Sequence, residues 1–412
     1  MTATVSISGI AAGGDGVGRL DDGMAVFVSR TAPGDRAEIE VTERKGRFAR
    51  ARLVSLSTSS PSRVDPKCPH YERDRCGGCR LQHLSDAAQR DVKSRLVGDA
   101  IRRIGKRDVP DPPIVASPSE WRYRSKVTLA VAGGRIGLHR EDEPGSPFDL
   151  EDCLLVSERV MQLWTRLRTR RSLLPERVNS LVLREDRDGR LHAMAIGGES
   201  AWDAEVIATD LADDSISFWW QPENGAARVV AGPSTGFPAV AFEQANTELA
   251  TTIRLAAVDG LGDVAGRTVW DLYGGVGDTA ELLSDRGACV WSIDRDRAAV
   301  EWGVARGSAA VKRLVGRVEE NLGRMPQPCA IVLNPPRTGL AAPVASYLEK
   351  WVGGGAGEAG GAARRLAYIS CDPATLARDL SRMPSLQIRS LTAFDLFPQT
   401  AHVEILVLLE GE

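Results

Sequence analysis

The part of the chain that begins near Phe237 alternates short apolar strands with helical segments, and this alternation constrains the fold most strongly. Strands are predicted at Thr268–Tyr273, Cys289–Asp294, Ala330–Asn334 and Leu366–Ser370. Such spacing is typical of a parallel, doubly wound α/β sheet, whose helices connect successive strands. We therefore predict an α/β Rossmann-like domain over residues 236–412. The glycine-rich run Gly353–Ala363 is interpreted as a flexible loop within it.

Residues 1–58 have a different pattern, with short alternating strands separated by glycine and proline turns. Strands are predicted at Met24–Val28 and Arg36–Val41, which indicates a small β-barrel. The run Arg44–Arg52 holds five basic residues in nine positions, and residues 1–110 carry 20 basic and 14 acidic residues. A basic barrel face suits a nucleic-acid backbone. A solvated charged strand explains the same residues equally well.

Residues 59–235 form the third predicted segment, which begins after the polar linker Thr58–Ser62. A helix is predicted over Asp86–Arg103, with Val92, Leu96, Ala100 and Ile104 on one face. Strands such as Lys126–Val131 and a basic helix near Arg166–Arg171 follow, so we expect an antiparallel, β-rich domain. The chain has neither a membrane-length apolar run nor a basic leader, and we expect a cytoplasmic protein.

Seven cysteines are present, and three of them lie close together at Cys68, Cys76 and Cys79. Cys153 follows far downstream. Disulfides are rare in a cytoplasmic protein, so metal binding is the better use of clustered thiols. Four thiolates can hold either a zinc ion or an iron–sulfur cluster.

A glycine turn follows the first strand of the α/β region, within the run Asp271–Ala280. Gly275, Gly277 and Ala280 fit a dinucleotide-binding pattern, so an NAD-dependent oxidoreductase is one interpretation. Asp294 ends the next strand, where a carboxylate can accept hydrogen bonds from a ribose. The turn by itself indicates a nucleoside-containing cofactor.

Three further motifs follow at predicted strand ends. The run Asn334-Pro335-Pro336-Arg337 lies at the sheet edge where α/β proteins hold ligands. Cys371 lies between a strand and a helix start, where we expect a lowered pKa and a candidate nucleophile, although a packed core cysteine explains it equally well. His402 and Glu404 follow, and either could act as an acid or a base.

Together these residues resemble the iron–sulfur-containing, S-adenosylmethionine-dependent RNA (uracil-5-)-methyltransferases, over nearly the whole chain. The resemblance is carried by Cys68, Cys76, Cys79 and Cys153, Trp121–Lys126, Phe242–Asn246, Asp271–Asp278, Asp294, Asn334–Arg337, Tyr368–Asp379 and Phe394–Glu404. It implies a TRAM domain, an RNA-binding barrel, in residues 1–58, a central iron–sulfur domain in 59–235 and a class I methyltransferase domain in 236–412.

The resemblance also implies roles for individual residues. A [4Fe–4S] cluster would be held by Cys68, Cys76, Cys79 and Cys153, with zinc as the alternative. S-adenosylmethionine would be contacted by Gln244, Tyr273, Asp278, Asp294 and Asn334. Cys371 would add to C6 of uracil, which makes C5 nucleophilic, and Glu404 would later remove the C5 proton. Basic surface would hold the RNA, and Trp121 could stack on a splayed base.

Two positions depart from the family pattern. Asn334 stands where the family usually has an aspartate, and Gly316-Arg317-Val318 stands where an acidic residue is common. The alternatives are an amino-group methyltransferase, against which Arg337 argues because an aromatic residue would be needed there, and an RNA-binding protein whose catalytic domain has decayed. We expect a monomer that modifies ribosomal RNA, with transfer RNA as the other target.

Overall fold

The computed structural model of the chain divides into two compact units. The first comprises Met1–Asp86, Ser119–Thr247 and Pro398–Ala401, and the second comprises Ala87–Pro118, Glu248–Phe397 and His402–Glu412. The structure describes residues 2–198, 202–211, 213, 215–234, 243–353 and 364–411. The predicted boundary at residue 236, Phe242 of the family motif and nearly all of the predicted loop 353–363 lie outside these residues.

The elements are numbered in chain order. The strands are β1 (Thr2–Ser6), β2 (Gly9–Ile10), β3 (Gly16–Arg19), β4 (Ala25–Val28), β5 (Arg36–Lys45), β6 (Phe48–Thr58), β7 (Ile114–Val115), β8 (Lys126–Ala132), β9 (Arg135–Gly137), β10 (Val178–Glu185), β11 (Leu191–Gly197), β12 (Ile216–Gln221), β13 (Arg228–Ala231), β14 (Thr268–Leu272), β15 (Cys289–Asp294), β16 (Lys312–Val315), β17 (Ala330–Leu333), β18 (Arg365–Ser370), β19 (Leu386–Phe394) and β20 (Glu404–Gly411). The helices are α1 (Pro69–Arg73), α2 (Asp86–Arg103), α3 (Glu158–Arg168), α4 (Glu205–Leu211), α5 (Thr247–Leu261), α6 (Asp278–Asp285), α7 (Arg297–Arg306), α8 (Val318–Asn321), α9 (Ala342–Gly353) and α10 (Pro373–Ser381).

The N-terminal sheet has the strand order β1-β5-β6-β4-β3-β2. It curls back on itself, since β1 and β2, at opposite ends of this order, are separated in the chain by only Ile7 and Ser8. Val26, Val28 and Ile39 fill its interior and are fully buried. The curled sheet around one small core is the barrel that the sequence predicts.

The basic hairpin of this barrel is largely charge-balanced. The ion pairs are Arg44–Asp22 at 3.1 Å, Lys45–Glu43 at 3.0 Å, Arg50–Asp15 at 3.5 Å and Arg52–Glu40 at 2.5 Å. Four of the five basic side chains in the predicted phosphate-binding run therefore already face a carboxylate, and Arg47 at the tip of the hairpin is exposed.

The central sheet has the order β13-β12-β11-β10-β8-β9, with Trp164 of α3 buried against it. Each neighbouring pair is antiparallel, as predicted, except β11 and β12, which are parallel. Parallel neighbours need a crossover connection, and α4 lies between these two strands in the chain.

Helix α2 begins and ends where the sequence predicts, and Val92 of the predicted face is buried, but the most buried stripe is displaced by one residue. Lys93, Val97 and Ile101 are fully buried, whereas Ile104 of the predicted face is 45% exposed. The helix lies almost entirely in the second unit, although the sequence assigned it to the central segment 59–235. A lysine on the buried face hides the true apolar stripe, because lysine is almost never fully buried without a partner.

The sheet of the second unit has the order β16-β15-β14-β17-β18-β20-β19-β7. Strands β14 to β18 are parallel to one another, as predicted for a doubly wound fold. Strand β20 is inserted between β18 and β19 and is antiparallel to both. The sheet is therefore mixed rather than wholly parallel. Among the described helices, none combines the length and apolar character needed to cross a bilayer.

Asp35 of the barrel provides a test of its stability. Its buried carboxylate accepts backbone N–H bonds from Ala32 and Ser60 and pairs with Arg63 at 2.7 Å. Burial raises the pKa of Asp35, but the hydrogen bonds from Arg63, Ala32 and Ser60 outweigh it and hold the pKa below its ordinary value. The stabilisation is thus present at neutral pH and is lost as the pH falls through this lowered pKa.

Asp35→Asn is expected to destabilise the barrel by about 2 kcal/mol at pH 7, because charge-assisted hydrogen bonds are lost. Hydrogen exchange over residues 30–63 should then be roughly thirty-fold faster, and the difference from wild type should shrink in acid. Asp22→Asn, which alters an exposed aspartate on the same barrel, is the control. Equal exchange in the wild type and Asp35→Asn would contradict this account.

Candidate active site and cysteine cavity

Most predicted site residues of the second unit lie at one edge of its sheet. Tyr273, Asp294, Asn334 and Cys371 come directly after or at the carboxyl ends of β14, β15, β17 and β18, and Glu404 begins β20 at the same edge. The strand order places them in the sequence Asp294, Tyr273, Asn334, Cys371, Glu404 along that edge. The carboxyl edge is where open α/β sheets bind their ligands.

The turn after β14 is shaped by its glycines. Tyr273 and Gly277 have φ angles of +62° and +93°, which place both in the left-handed region. Gly274 lies so close to the Asp271 carboxylate and the Ser292 hydroxyl that a Cβ at this position would clash with both. The turn thus brings bare backbone against the end of β15. Helix α6 begins at Asp278, as predicted.

Two carboxylates, those of Asp294 and Asp271, lie against this turn. Asp294 accepts the N–H of Gly275 at 2.9 Å through one oxygen and the N–H of Asp296 at 2.8 Å through the other. Asp271 is buried and accepts a 2.8 Å hydrogen bond from Ser292, and burial raises its pKa to about 6. Asp271 was not among the predicted site residues, although it begins the motif.

The other predicted cofactor residues occupy different places. Asp278 pairs with Arg254 of α5 at 3.0 Å. Asn334 is half-buried, and its backbone N–H donates to the Leu272 carbonyl at 3.2 Å, which keeps the end of β17 beside the glycine turn. Gln244 belongs to the first unit, three residues before α5 begins, and is half-buried.

Cys371 and Glu404 are brought together by the antiparallel pairing of β18 with β20. The last registered pair is Ser370 with Ile405, so the next position places Cys371 opposite Glu404. Residues directly opposite in antiparallel strands have Cα atoms about 5 Å apart. Glu404 is 1% exposed and Cys371 is half-buried. His402 precedes the strand and packs edge-on against Phe397.

The expected lowering of the Cys371 pKa is wrong for this structure. Burial and the nearby Glu404 carboxylate raise the pKa of the thiol, and the Arg337 guanidinium only partly opposes them. The start of α10 does not outweigh these two effects, because its first backbone groups are capped by Asp372, which accepts the Thr375 N–H at 2.7 Å.

Two acidic residues near the site were not singled out by sequence reasoning. Asp379 of α10 is fully buried and accepts hydrogen bonds from the Tyr368 hydroxyl and the Leu340 N–H, both at 2.8 Å. It thereby ties the loop after Asn334 to the helix after Cys371. Glu319 of α8 lies near Tyr273 and contributes, after burial, to the raised pKa of that phenol. The sequence feature that could have pointed to Glu319 is the neighbouring run Gly316-Arg317-Val318, which stands where the family often has an acidic residue.

The four predicted metal ligands line one cavity in the first unit. Cys68, Cys76, Cys79 and Cys153 surround a volume of about 90 Å³, with an apolar lining that includes Leu155. All four are free thiols. Burial raises the pKa of each. Nearby thiols add to this at Cys76, Cys79 and Cys153, and the pKa of Cys76 reaches about 11.

Across the residues that the structure describes, no group of three or more His, Cys, Asp or Glu side chains is placed to hold one metal ion. Trp121, predicted as a base-stacking residue, lines this cavity and is half-buried, with the Lys67 ammonium 5.6 Å from its ring centre.

Comparison with known proteins decides the family. The sequence pattern of the TRAM domain matches residues 1–54, and that of the tRNA (uracil-5-)-methyltransferases matches residues 317–412. The chain is 31% identical to an uncharacterised RNA methyltransferase of Streptomyces coelicolor, over 98% of this chain and 92% of that one. It is 30% identical to the 23S rRNA (uracil(1939)-C(5))-methyltransferase RlmD of Alkalilimnicola ehrlichii, over 99% and 96% of the two chains.

The chain belongs to the RNA (uracil-5-)-methyltransferase family. A solved structure, the tRNA (uracil-54, C5)-methyltransferase of Pyrococcus abyssi in complex with S-adenosyl-L-homocysteine, has the same fold, with a TM-score of 0.75 and 22% identity over 98% of this chain and 99% of that one. S-adenosylmethionine is the methyl donor of this family. The glycine turn is therefore part of a methyltransferase domain, and the NAD-dependent oxidoreductase interpretation is wrong.

The opposing charges around Cys371 in this methyltransferase can be measured by alkylation. The rate at which iodoacetamide modifies Cys371 should rise with pH, with a midpoint above that of an ordinary thiol. Glu404→Gln removes a negative charge and is expected to move the midpoint to lower pH. Arg337→Gln removes a positive charge and should move it to higher pH.

Mass spectrometry of the Cys371 peptide provides the measurement, and the exposed Cys289 provides an internal control. The alkylation profile of Cys289 should be the same in all three proteins. A Glu404→Gln protein whose Cys371 profile matches that of wild type would show that the two side chains do not interact.

Proposed function

We propose that this enzyme forms 5-methyluridine in ribosomal RNA through a covalent bond between Cys371 and C6 of the target uracil, with Glu404 as the base. The observation that carries this assignment is the register of β18 and β20, which sets the thiol opposite the carboxylate at the ligand-binding edge. A nucleophile and a base must reach adjacent atoms of the same ring, and this arrangement supplies both.

The reaction begins with the Cys371 thiolate, which adds to C6 of a uracil turned out of its stack. The electron pair of the C5–C6 double bond moves toward C5 and the C4 carbonyl. C5 then attacks the methyl group of S-adenosylmethionine, the second substrate, and the carbon–sulfur bond breaks to release S-adenosylhomocysteine. Glu404 accepts the proton from C5, the double bond re-forms, and the Cys371 sulfur leaves as a thiolate.

Charged side chains near Cys371 act on its thiol in opposite directions. Burial and, after it, the Glu404 carboxylate raise the pKa of Cys371. The Arg337 guanidinium opposes them and so favours the thiolate that must attack C6. A carboxylate that is 1% exposed is also shielded from water, which favours its use as a proton acceptor.

S-adenosylmethionine would be held at the glycine turn. Tyr273 and the bare backbone of Gly274 offer an aromatic face and a close approach, and Asp278 and Asp294 supply carboxylates beside them. Asn334 would contribute an amide in place of the usual aspartate, which still donates and accepts hydrogen bonds but carries no charge. Gln244 is assigned to the cofactor on the family motif.

The RNA class is proposed from the relatives. The Alkalilimnicola ehrlichii relative at 30% identity is named for uracil 1939 of 23S rRNA, and the match spans nearly all of both chains. Transfer RNA is the alternative, since the solved structure of the same fold is a tRNA methyltransferase. Mapping 5-methyluridine in ribosomal and transfer RNA from a deletion strain separates the two.

The four cysteines are proposed to hold a [4Fe–4S] cluster. Such a cluster binds one thiolate at each of four irons, so its ligands stand farther apart than the four ligands of one zinc ion. Four thiols, two buried and two half-buried, line a cavity of about 90 Å³ and could supply one thiolate to each iron. The methyl transfer needs no electron, so a structural role is proposed.

The roles of Cys371 and Glu404 predict opposite phenotypes. Cys371→Ala should abolish methylation and form no covalent complex with RNA, because C6 is never attacked. Glu404→Gln should still attack C6, and the methyl group should still pass to C5, but the reaction should then stall because the C5 proton has no acceptor. A slow-migrating protein–RNA band that carries one labelled methyl group is expected on a denaturing gel.

The double variant Cys371→Ala, Glu404→Gln serves as the control and should form no such band. Normal turnover by Glu404→Gln, or residual activity in Cys371→Ala, would overturn these roles. If the wild-type protein methylates no RNA but still binds it, the decayed-enzyme alternative is correct instead.

The cluster assignment predicts the metal content. Protein purified without oxygen should be brown and contain about four iron and four sulfide per chain, as expected for four thiolate ligands on a [4Fe–4S] cluster. Cys153→Ser should lose most of the iron, whereas Cys289→Ser, which changes a thiol outside the cavity, should retain it. Stoichiometric zinc without iron would refute the cluster and support the zinc alternative.

A further inference from the structure

A buried lysine of α2 is paired inside the second unit with the chain that follows β19. The Lys93 ammonium and the Asp395 carboxylate form a hydrogen-bonded ion pair with side chains 0% and 1% exposed. Lys93 also donates a second hydrogen bond to the Phe397 carbonyl at 3.0 Å. The two partners are 302 residues apart in the chain.

This ion pair lies next to the proposed base. The last registered pair of β19 and β20 joins Phe394 to Glu404, and Asp395 is the next residue. The N–H of Asp395 donates to the Val115 carbonyl at 2.9 Å, so residues 87–118 hold this point through both α2 and the segment around β7. The chain leaves β19 after Phe394 and re-enters the sheet at Glu404, the first residue of β20. Lys93 fixes the start of this connection through its ion pair with Asp395.

A gain in folding stability does not by itself explain why the Lys93–Asp395 ion pair is buried in this core. Burial lowers the pKa of Lys93, and Asp395 opposes that effect. Apolar side chains of similar volume often stabilise a core as well as a buried ion pair does. An ion pair also fixes geometry, because the Lys93 ammonium must lie within hydrogen-bonding distance of both the Asp395 carboxylate and the Phe397 carbonyl.

We propose that Lys93 is a positioning residue for Glu404. By holding Asp395 and the Phe397 carbonyl, it fixes the end of β19 and thereby the place of the Glu404 carboxylate in the adjoining strand. The inference rests on the proposed function of Glu404 as the base, and it assigns a role in the last step of the reaction to a helix from the N-terminal part of the chain.

The test measures attack and proton removal separately. RNA that the wild-type enzyme methylates is transcribed with [5-³H]uridine and mixed with excess protein and labelled S-adenosylmethionine. Methyl incorporation reports attack and transfer, and tritium release reports loss of the C5 proton. Lys93→Met should transfer the methyl group within about threefold of the wild-type rate but release tritium about tenfold more slowly, since a base misplaced by about 1 Å is inefficient.

Two further variants distinguish positioning from simple destabilisation. Arg95→Met removes an exposed cation from the same helix and should behave like wild type. The double variant Lys93→Met, Asp395→Leu restores a neutral core, so it should recover thermal stability while tritium release stays slow relative to methyl transfer. If it instead recovers both rates, Lys93 is only structural and the proposal is wrong.

Glu404→Gln, run in parallel, separates the two levels of inference. If Glu404→Gln stalls but Lys93→Met slows methyl transfer and tritium release equally, the role of Lys93 is refuted and the base assignment stands. If Glu404→Gln releases tritium at the wild-type rate, the base assignment fails and the role of Lys93 fails with it.

Discussion

The insertion of β20 between β18 and β19 is the constraint on which the candidate active site depends. Cys371 and Glu404 are 33 positions apart in the sequence. They become neighbours because β20 runs antiparallel to β18 and starts at the edge where β18 ends. A shift of the register by one residue would turn Glu404 to the other face of the sheet and separate it from the thiol.

The other proposed site residues lie at the same edge because strands β14 to β18 run parallel to one another. Each parallel strand delivers its following loop to that edge, which places Asp294, Tyr273 and Asn334 in a row beside Cys371. The proposed cofactor-binding residues and the proposed nucleophile are thereby ordered by strand position alone. Buried acids then fix the loops: Asp271 beneath the glycine turn, and Asp379 between the loop after Asn334 and α10.

Much of this arrangement could be predicted from sequence, and the errors have physical causes. The strands ending at Asp294 and Ser370 were predicted because apolar runs bounded by glycine or polar residues are strong signals. The lowered pKa of Cys371 was wrong because its main determinants, burial and Glu404, are long-range. The most buried stripe of α2 was predicted one residue away because it includes Lys93, whose partner Asp395 is invisible to any local pattern.

These two errors have the same physical cause. Periodicity reports the average environment of a segment, whereas a buried charge is stable only beside one specific partner. The pairs Cys371 with Glu404 and Lys93 with Asp395 both depend on contacts between distant parts of the chain. A charge retained in such a position restricts the number of ways in which the surrounding strands can pack. The proposed roles of Cys371 and Glu404 depend on that restriction, because both side chains must reach adjacent atoms, C6 and C5, of one uracil ring.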